Sequence, residues 1–152
     1  MDIKDFEKFI EAQAKGYGDG VEKALTDTSA HAISYVQTVA IPQAKPYPPI
    51  LFGNYKRSWK VLKRTKDSIE VGSDIPYSGT IEYGSRPHFP PVAPMLLWTK
   101  RKFGLDAAEA KKVAFAVSKA IAAHGTKPRY INTGSQTMFQ KFLNQAVREF
   151  VA

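Results

Sequence analysis

Apolar residues in the first third of the chain recur at helical spacing. Ile3, Phe6, Phe9, Ile10 and Ala14 follow the i, i+3, i+4, i+7 pattern of an amphipathic helix over residues 3–15. Gly16-Tyr17-Gly18-Asp19-Gly20 interrupts the pattern and predicts a glycine-rich linker, with residues 1–20 forming a terminal helix plus that linker. A glycine loop that cradles phosphate follows a strand and opens a helix, whereas this one follows a helix, which argues against a nucleotide site. A second helix is predicted from about Val21 to Ala40, with Val21, Leu25, Ala32, Val36 and Val39 facing inward. It must end before Pro42, because proline disfavours helical backbone in the residue ahead of it.

Residues 42–53 read as a Pro-rich arm. Pro42, Pro46, Pro48 and Pro49 deny the segment both helical and central-strand hydrogen bonding. The same stretch carries Tyr47, Ile50, Leu51 and Phe52, which water disfavours. Two arrangements fit these residues: a loop folded back onto its own core, or a projecting arm whose apolar tip a partner chain buries.

From Ser58 the period changes to two. Trp59 and Val61 alternate with Ser58, Lys60 and Leu62, Thr65 to Ser68 supplies a turn, and Ile69 and Val71 alternate on the return. Tyr77, Gly79, Ile81 and Tyr83 extend the alternation into a third strand, so residues 54–83 form the sheet region. Residues 94–152 are helical in pattern. Pro94 suits a first helical turn and Gly104 a left-handed close. Asp106 with Glu109 resembles a cap ahead of an inward stripe of Val113, Ala116, Val117, Ala120 and Ile121. A last helix begins near Ser135 with Met138, Phe139, Phe142, Leu143, Ala146, Val147 and Phe150 on its apolar face. The expected fold is one α+β domain over residues 1–152, an antiparallel sheet of three or four strands packed by about four to five helices, with a Pro-rich projecting loop.

Charge adds a second asymmetry. The net charge is +8, yet residues 1–53 hold five Lys/Arg against seven Asp/Glu, and residues 54–152 hold seventeen against seven. Lys56, Arg57, Lys60, Lys63, Arg64 and Lys66 fall together with no acid among them. They fit a solvated sheet face that also protects an edge strand, or a DNA-facing stripe that tracks phosphates, with Tyr55 and Trp59 as stacking platforms or as core anchors.

Candidate chemistry is sparse. The chain has no cysteine, and its histidines, His31, His88 and His124, are not paired at helical metal-ligand spacing. Asp74 and Glu82 could approach each other across the sheet, which leaves a metal-dependent nuclease as one reading, although a two-metal site needs more acids. No nucleophile elbow or phosphate-binding loop motif is present. The expectation is a non-enzyme with no catalytic residues, cofactor or metal, soluble and without a membrane span or secretory leader. A basic nucleic-acid-binding protein is the alternative.

Two stretches are more informative. Ile75-Pro76-Tyr77 followed by Ile81-Glu82-Tyr83-Gly84-Ser85-Arg86-Pro87-His88 is one, and Ala120 to Arg129, containing His124-Gly125-Thr126-Lys127-Pro128-Arg129, is the other. In this order, with the helix end Trp98 to Gly104 between them, they resemble the head–tail joining, or tail-completion, proteins of long-tailed bacteriophages. Gly53-Asn54-Tyr55-Lys56-Arg57-Ser58 is similar to a further stretch of that family, with Phe52 where threonine is usual and Tyr55 where leucine is usual. The resemblance covers roughly residues 20–152.

The resemblance implies a structural virion protein forming a ring of copies, typically a hexamer, in the neck, without enzymatic activity or cofactor. Such a ring completes the tail end and joins it to the DNA-filled head. Its partners would be further copies of itself, a head-completion or connector protein, and tail terminator or tail tube proteins, with non-specific contact to DNA in the channel. Before assembly it would reside in the host cytoplasm. The glycines and prolines of both stretches read as turn formers. Arg86, His88, Lys127 and Arg129, together with Tyr47, Ile50, Leu51 and Phe52 of the arm, are the candidate contacts to partners or other copies.

Overall fold

The structure, a computed structural model, describes residues 3–45 and 53–151, the side chains of Ile3, Phe6 and Val151 excepted. Its first element, α1 (Ile3–Tyr35), runs unbroken through the glycine cluster where a linker was expected. A glycine inside a helix costs only about 1 kcal/mol relative to alanine, too little to end a helix that good formers continue on either side. One of the three has a packing role. A Cβ on Gly20 would lie 1.7 Å from the Phe150 ring, so that aromatic side chain seats against bare backbone. Gly16 and Gly18 face no atom within 4 Å. Every described side chain from Lys4 to Asp19 is exposed, Phe9 at 50%, so the apolar row predicted there has no counterpart among the described residues.

Beyond Tyr35 the helix widens into a π-turn, Val36–Ala40, closed by Ile41 N–H donating to the Val36 carbonyl at 2.9 Å. The chain leaves the helix there, ahead of Pro42 as expected. Val36 and Ile41 sit at the centre of the core with Ala44, Tyr55, Trp59, Ile81 and Ile131, and Ile33, Ile75 and Phe139 pack against them. The core therefore gathers where α1 ends and the sheet begins.

A short helix, α2 (Asn54–Arg57), leads into an antiparallel hairpin of β1 (Trp59–Arg64) and β2 (Ile69–Ser73). Trp59 pairs with Ser73 and Arg64 with Ile69, with a bulge at Leu62 that ends the strict in–out alternation. Thr65 Oγ1 holds the turn, accepting from Ser68 N–H at 3.0 Å.

Among the described residues the sheet has two strands rather than three or four. The segment expected as a third strand is the helix α3 (Ser78–Tyr83). Tyr77 and Ile81 are one helical turn apart as well as two strand repeats. The neighbours Ile81 and Glu82 are both buried, at 8% and 6% exposure, an arrangement that a strand with one face to the core does not give.

Three helices complete the chain: α4 (Val92–Phe103), α5 (Ala107–His124) and α6 (Ile131–Val151). Gly104 closes α4 in the left-handed region at φ 64°. Asp106 caps α5 as its position implied, one carboxylate oxygen accepting from Ala108 and Glu109 N–H at 2.8 Å each. The α5 stripe is rotated from the expected one. Ala110, Ala114 and Ser118 are buried while Ala116 and Ala120 are exposed. Small residues line the seam because α4 approaches closely there, with the buried Thr99 hydroxyl donating to the Ala110 carbonyl at 3.1 Å. α1 packs along α6, and α4 packs on α5. The fold is mixed helix and sheet, in agreement with the α+β class. No described helix is long and apolar enough to cross a membrane.

Because Gly16 and Gly18 lie in a helix with open space around them, alanine at either position should raise helicity without a clash. Gly16→Ala is expected to increase ellipticity at 222 nm and to slow amide exchange over residues 10–20 by about fivefold, from roughly 1 kcal/mol of propensity. Unchanged exchange would mean that residues 16–20 are not helical in solution.

Candidate functional site

Two stretches far apart in sequence, residues 75–88 and 120–129, meet in space. α3 ends at Gly84 (φ 76°) and α5 at Gly125 (φ 70°), a backbone region that disfavours side chains. Directly after these turns Ser85 and Thr126 form an antiparallel bridge, each N–H donating to the other's carbonyl at 3.1 Å. The Ser85 hydroxyl also accepts from Thr126 N–H at 3.1 Å and from Thr126 Oγ1 at 3.0 Å. Each glycine is required twice over. A Cβ on Gly84 would stand 2.2 Å from the Thr126 carbonyl oxygen, and one on Gly125 2.0 Å from that of Ser85.

The junction continues into the start of α6. Arg129 N–H donates to the Ile81 and Glu82 carbonyls, and Tyr130 N–H to the Glu82 carbonyl at 3.1 Å. The buried Glu82 carboxylate then accepts from Asn132 N–H (2.9 Å), Thr133 N–H (2.8 Å) and Thr133 Oγ1 (2.7 Å). These are first-turn donors of α6, left without intrahelical partners, and an anion at a helix N-terminus is favoured by the dipole. Glu82 thus caps a helix whose donor Asn132 lies fifty positions later in the chain. This explains why α6 begins at Ile131 and not near Ser135: the cap comes from another element, and no local Ser/Asp signal marks it. An acid between Ile81 and Tyr83 was the available sign.

Around the junction, Arg86, His88 and Lys127 are exposed, and Arg129 is half-buried. His88 is braced, its backbone N–H reaching the Ile121 carbonyl at 3.4 Å and its Nδ1 donating to the Arg86 carbonyl at 2.9 Å. Arg129 lies near Tyr55, and burial holds its guanidinium below its ordinary value. It belongs to the inner side of the junction, unlike the other three. Tyr47, Ile50, Leu51 and Phe52 lie outside the described residues.

Tyr55 and Trp59 are buried, at 3% and 4% exposure, and stack edge to face at 6.2 Å. They anchor the core and offer no stacking platform. Burial pushes the Tyr55 hydroxyl up to about 12, with Glu82 adding to the rise and Trp59 and Arg129 opposing it. Among the described residues the Trp59 indole N–H has no acceptor within hydrogen-bonding geometry.

The basic stripe is spread and partly neutralised. Lys60 pairs with Asp74 at 2.5 Å, Arg64 with Glu22 at 3.9 Å, and Arg57 donates to Asn54 Oδ1 at 2.9 Å. Lys63 and Lys66 are exposed and Lys56 is half-buried. The Lys60 ammonium, by hydrogen bonding, holds the exposed Asp74 carboxyl below its usual range. Asp74 and Glu82 therefore serve different partners, and among the described residues no three acids or histidines gather as a metal site.

Beside the junction, α4, α5 and the 125–129 loop enclose a largely apolar groove of about 670 Å³, lined by Pro94, Met95, Trp98, Val117, Ala120 and Ile121. Comparisons with family models, curated proteins and solved structures find no match to this chain.

Two outcomes are expected. Glu82→Ala leaves three donors at the α6 start without their acceptor and should cost roughly 2–4 kcal/mol in urea denaturation, with Glu82→Gln retaining part of that. A loss below about 0.5 kcal/mol would remove the capping role. For Tyr55, the folded state keeps its proton to about pH 12 while the unfolded chain releases it from about pH 10. Stability is unaffected by this group below pH 10 and falls as pH rises from 10 to 12, by up to about 2 kcal/mol. Tyr55→Phe should flatten that part of the profile.

Proposed function

We propose that this chain is a structural subunit of the bacteriophage neck, assembling into a ring that completes the tail end and joins it to the DNA-filled head. The observation that carries the assembly reading is surface. The chain exposes 10584 Å², whereas a compact monomer of 16.9 kDa exposes roughly 7,700 Å². The excess of roughly 2,900 Å² is on the scale of permanent interfaces. It includes large apolar side chains on several elements: Phe9, Ile10 and Tyr17 on α1, Phe89 before α4, Leu97 and Phe103 on α4, and Phe115 on α5. Apolar side chains left exposed on this scale suit contact with other chains.

The meeting of the two family-like stretches supports the neck reading in particular. They form one built unit, in which each glycine is shaped to the other's backbone, so their joint presence reflects a single structural requirement. Arg86, His88 and Lys127 crown that unit and are the polar contacts we assign to neighbouring subunits or to the head and tail proteins. Exposed Lys63 and Lys66 suit passive lining of a DNA passage, where phosphate attraction is non-specific and weakens with salt. The reading assigns the chain no reaction and no cofactor.

Deleting the gene from the phage that encodes this chain should leave filled heads and complete-looking tails that fail to join, seen by negative-stain microscopy. Supplying the protein in trans should restore virions. Normal particles from the deletion would end the proposal.

A further inference from the structure

We propose that the groove between α4 and α5 is a binding site for a small amphipathic anion, an alkyl carboxylate. Its chain lies against the two helices and its head group meets His124 and Lys127. The inference stands apart from the neck reading and needs no second chain.

Spacing along α5 builds one wall. Val117, Ala120, Ile121 and His124 fall at i, i+3, i+4 and i+7, so they share one flank of the helix. α4 supplies the facing wall through Pro94, Met95 and Trp98. The volume, about 670 Å³, falls in the range that takes a drug-sized ligand. Pro94, Met95, Val117, Ala120 and Ile121 carry no side-chain N–H or O–H, so this length of the groove offers no donor to a polar guest. It favours an alkyl chain, at roughly fourfold in affinity for each methylene withdrawn from water. An extended peptide fits worse. The walls are helices whose backbone groups are largely bonded internally, so the peptide's own amides would go unpaired there.

The charge of the lining selects the head group. His124, Lys127 and Arg129 are its ionisable members, and no acid lines the groove. They come from the last turn of α5 and the loop after Gly125, so they gather at one end. His124 and Lys127 are exposed, and among the described residues neither is paired with an acid. Arg129, half-buried and also near Tyr55, adds to the positive field. A carboxylate only accepts hydrogen bonds, and this end of the groove presents N–H donors to it. An uncharged chain leaves these groups without an acceptor, and a compact anion leaves the apolar walls wet. A ligand with both parts matches both halves of the site.

The test is calorimetric titration of the full chain with sodium decanoate and sodium dodecanoate, below the concentrations at which they form micelles. Decanoate is expected to bind, and dodecanoate to bind roughly fifteenfold more tightly through its two extra methylenes. Decyltrimethylammonium, a chain of equal length with the opposite charge, should bind at least about tenfold more weakly than decanoate. His124→Gln combined with Lys127→Gln should weaken decanoate at least about tenfold and leave decanol unchanged. Lys111→Gln combined with Lys112→Gln removes two exposed lysines outside the groove and should change neither ligand. Ala120→Trp fills the groove from an exposed position, and should abolish binding while leaving the circular dichroism spectrum intact. No binding of either carboxylate up to about 1 mM, equal affinity for the cationic chain, or equal loss in the two double variants would overturn the proposal. Undiminished binding to Ala120→Trp would put the site elsewhere and overturn it as well.

Discussion

The carboxylate of Glu82 is the constraint on which the arrangement of the second half depends. Helix α6 begins with donors that its own backbone cannot satisfy, and the residue that satisfies them sits on α3. Because Glu82 is buried, water cannot take its place there. The position of α3 therefore sets where α6 starts, and α6 in turn sets how its long apolar face lies along α1. The Arg129 and Tyr130 backbone bonds to the same segment make the attachment a continuous strip. The Ser85–Thr126 bridge extends that strip to the ends of α3 and α5.

Parts of this were legible in the sequence because their causes are local. Asp106 announces α5, Gly104 announces the end of α4, and the alternation around Trp59 announces the hairpin, each through chemistry within a few residues. The third strand was misread because Tyr77 to Tyr83 satisfies two periods at once, and the deciding fact is that Glu82 must reach α6. The glycines of α1 were misread because a break and a close packing site look alike until Phe150 is in view. In the candidate site, Gly84 and Gly125 could be recognised as turns, but not as each other's partners, since that contact spans forty-one positions. Arg129 looked like Lys127 in sequence and differs only because the chain folds Tyr55 beside it.

The structure separates its surfaces by chemistry. The core is small, centred on the π-turn at residues 36–40, and it accounts for only a fraction of the large apolar side chains. Large apolar side chains are exposed on β1, α1, α3, α4, α5 and α6. The buried Tyr55–Trp59 pair, by contrast, removes the two aromatics nearest the basic stripe from any role in stacking with bases.

The uninterrupted course of α1 has a mechanical consequence. With no hinge at residues 16–20, the stretch from Lys4 to Asp19, exposed at every described side chain, behaves as a strut of roughly 24 Å. A push or tilt at the tip is not absorbed by a flexible joint but is delivered as torque at the Val36–Ala40 turn, beside Trp59 and Ile131. Whatever grips that outer end is geared directly to the interior of the protein.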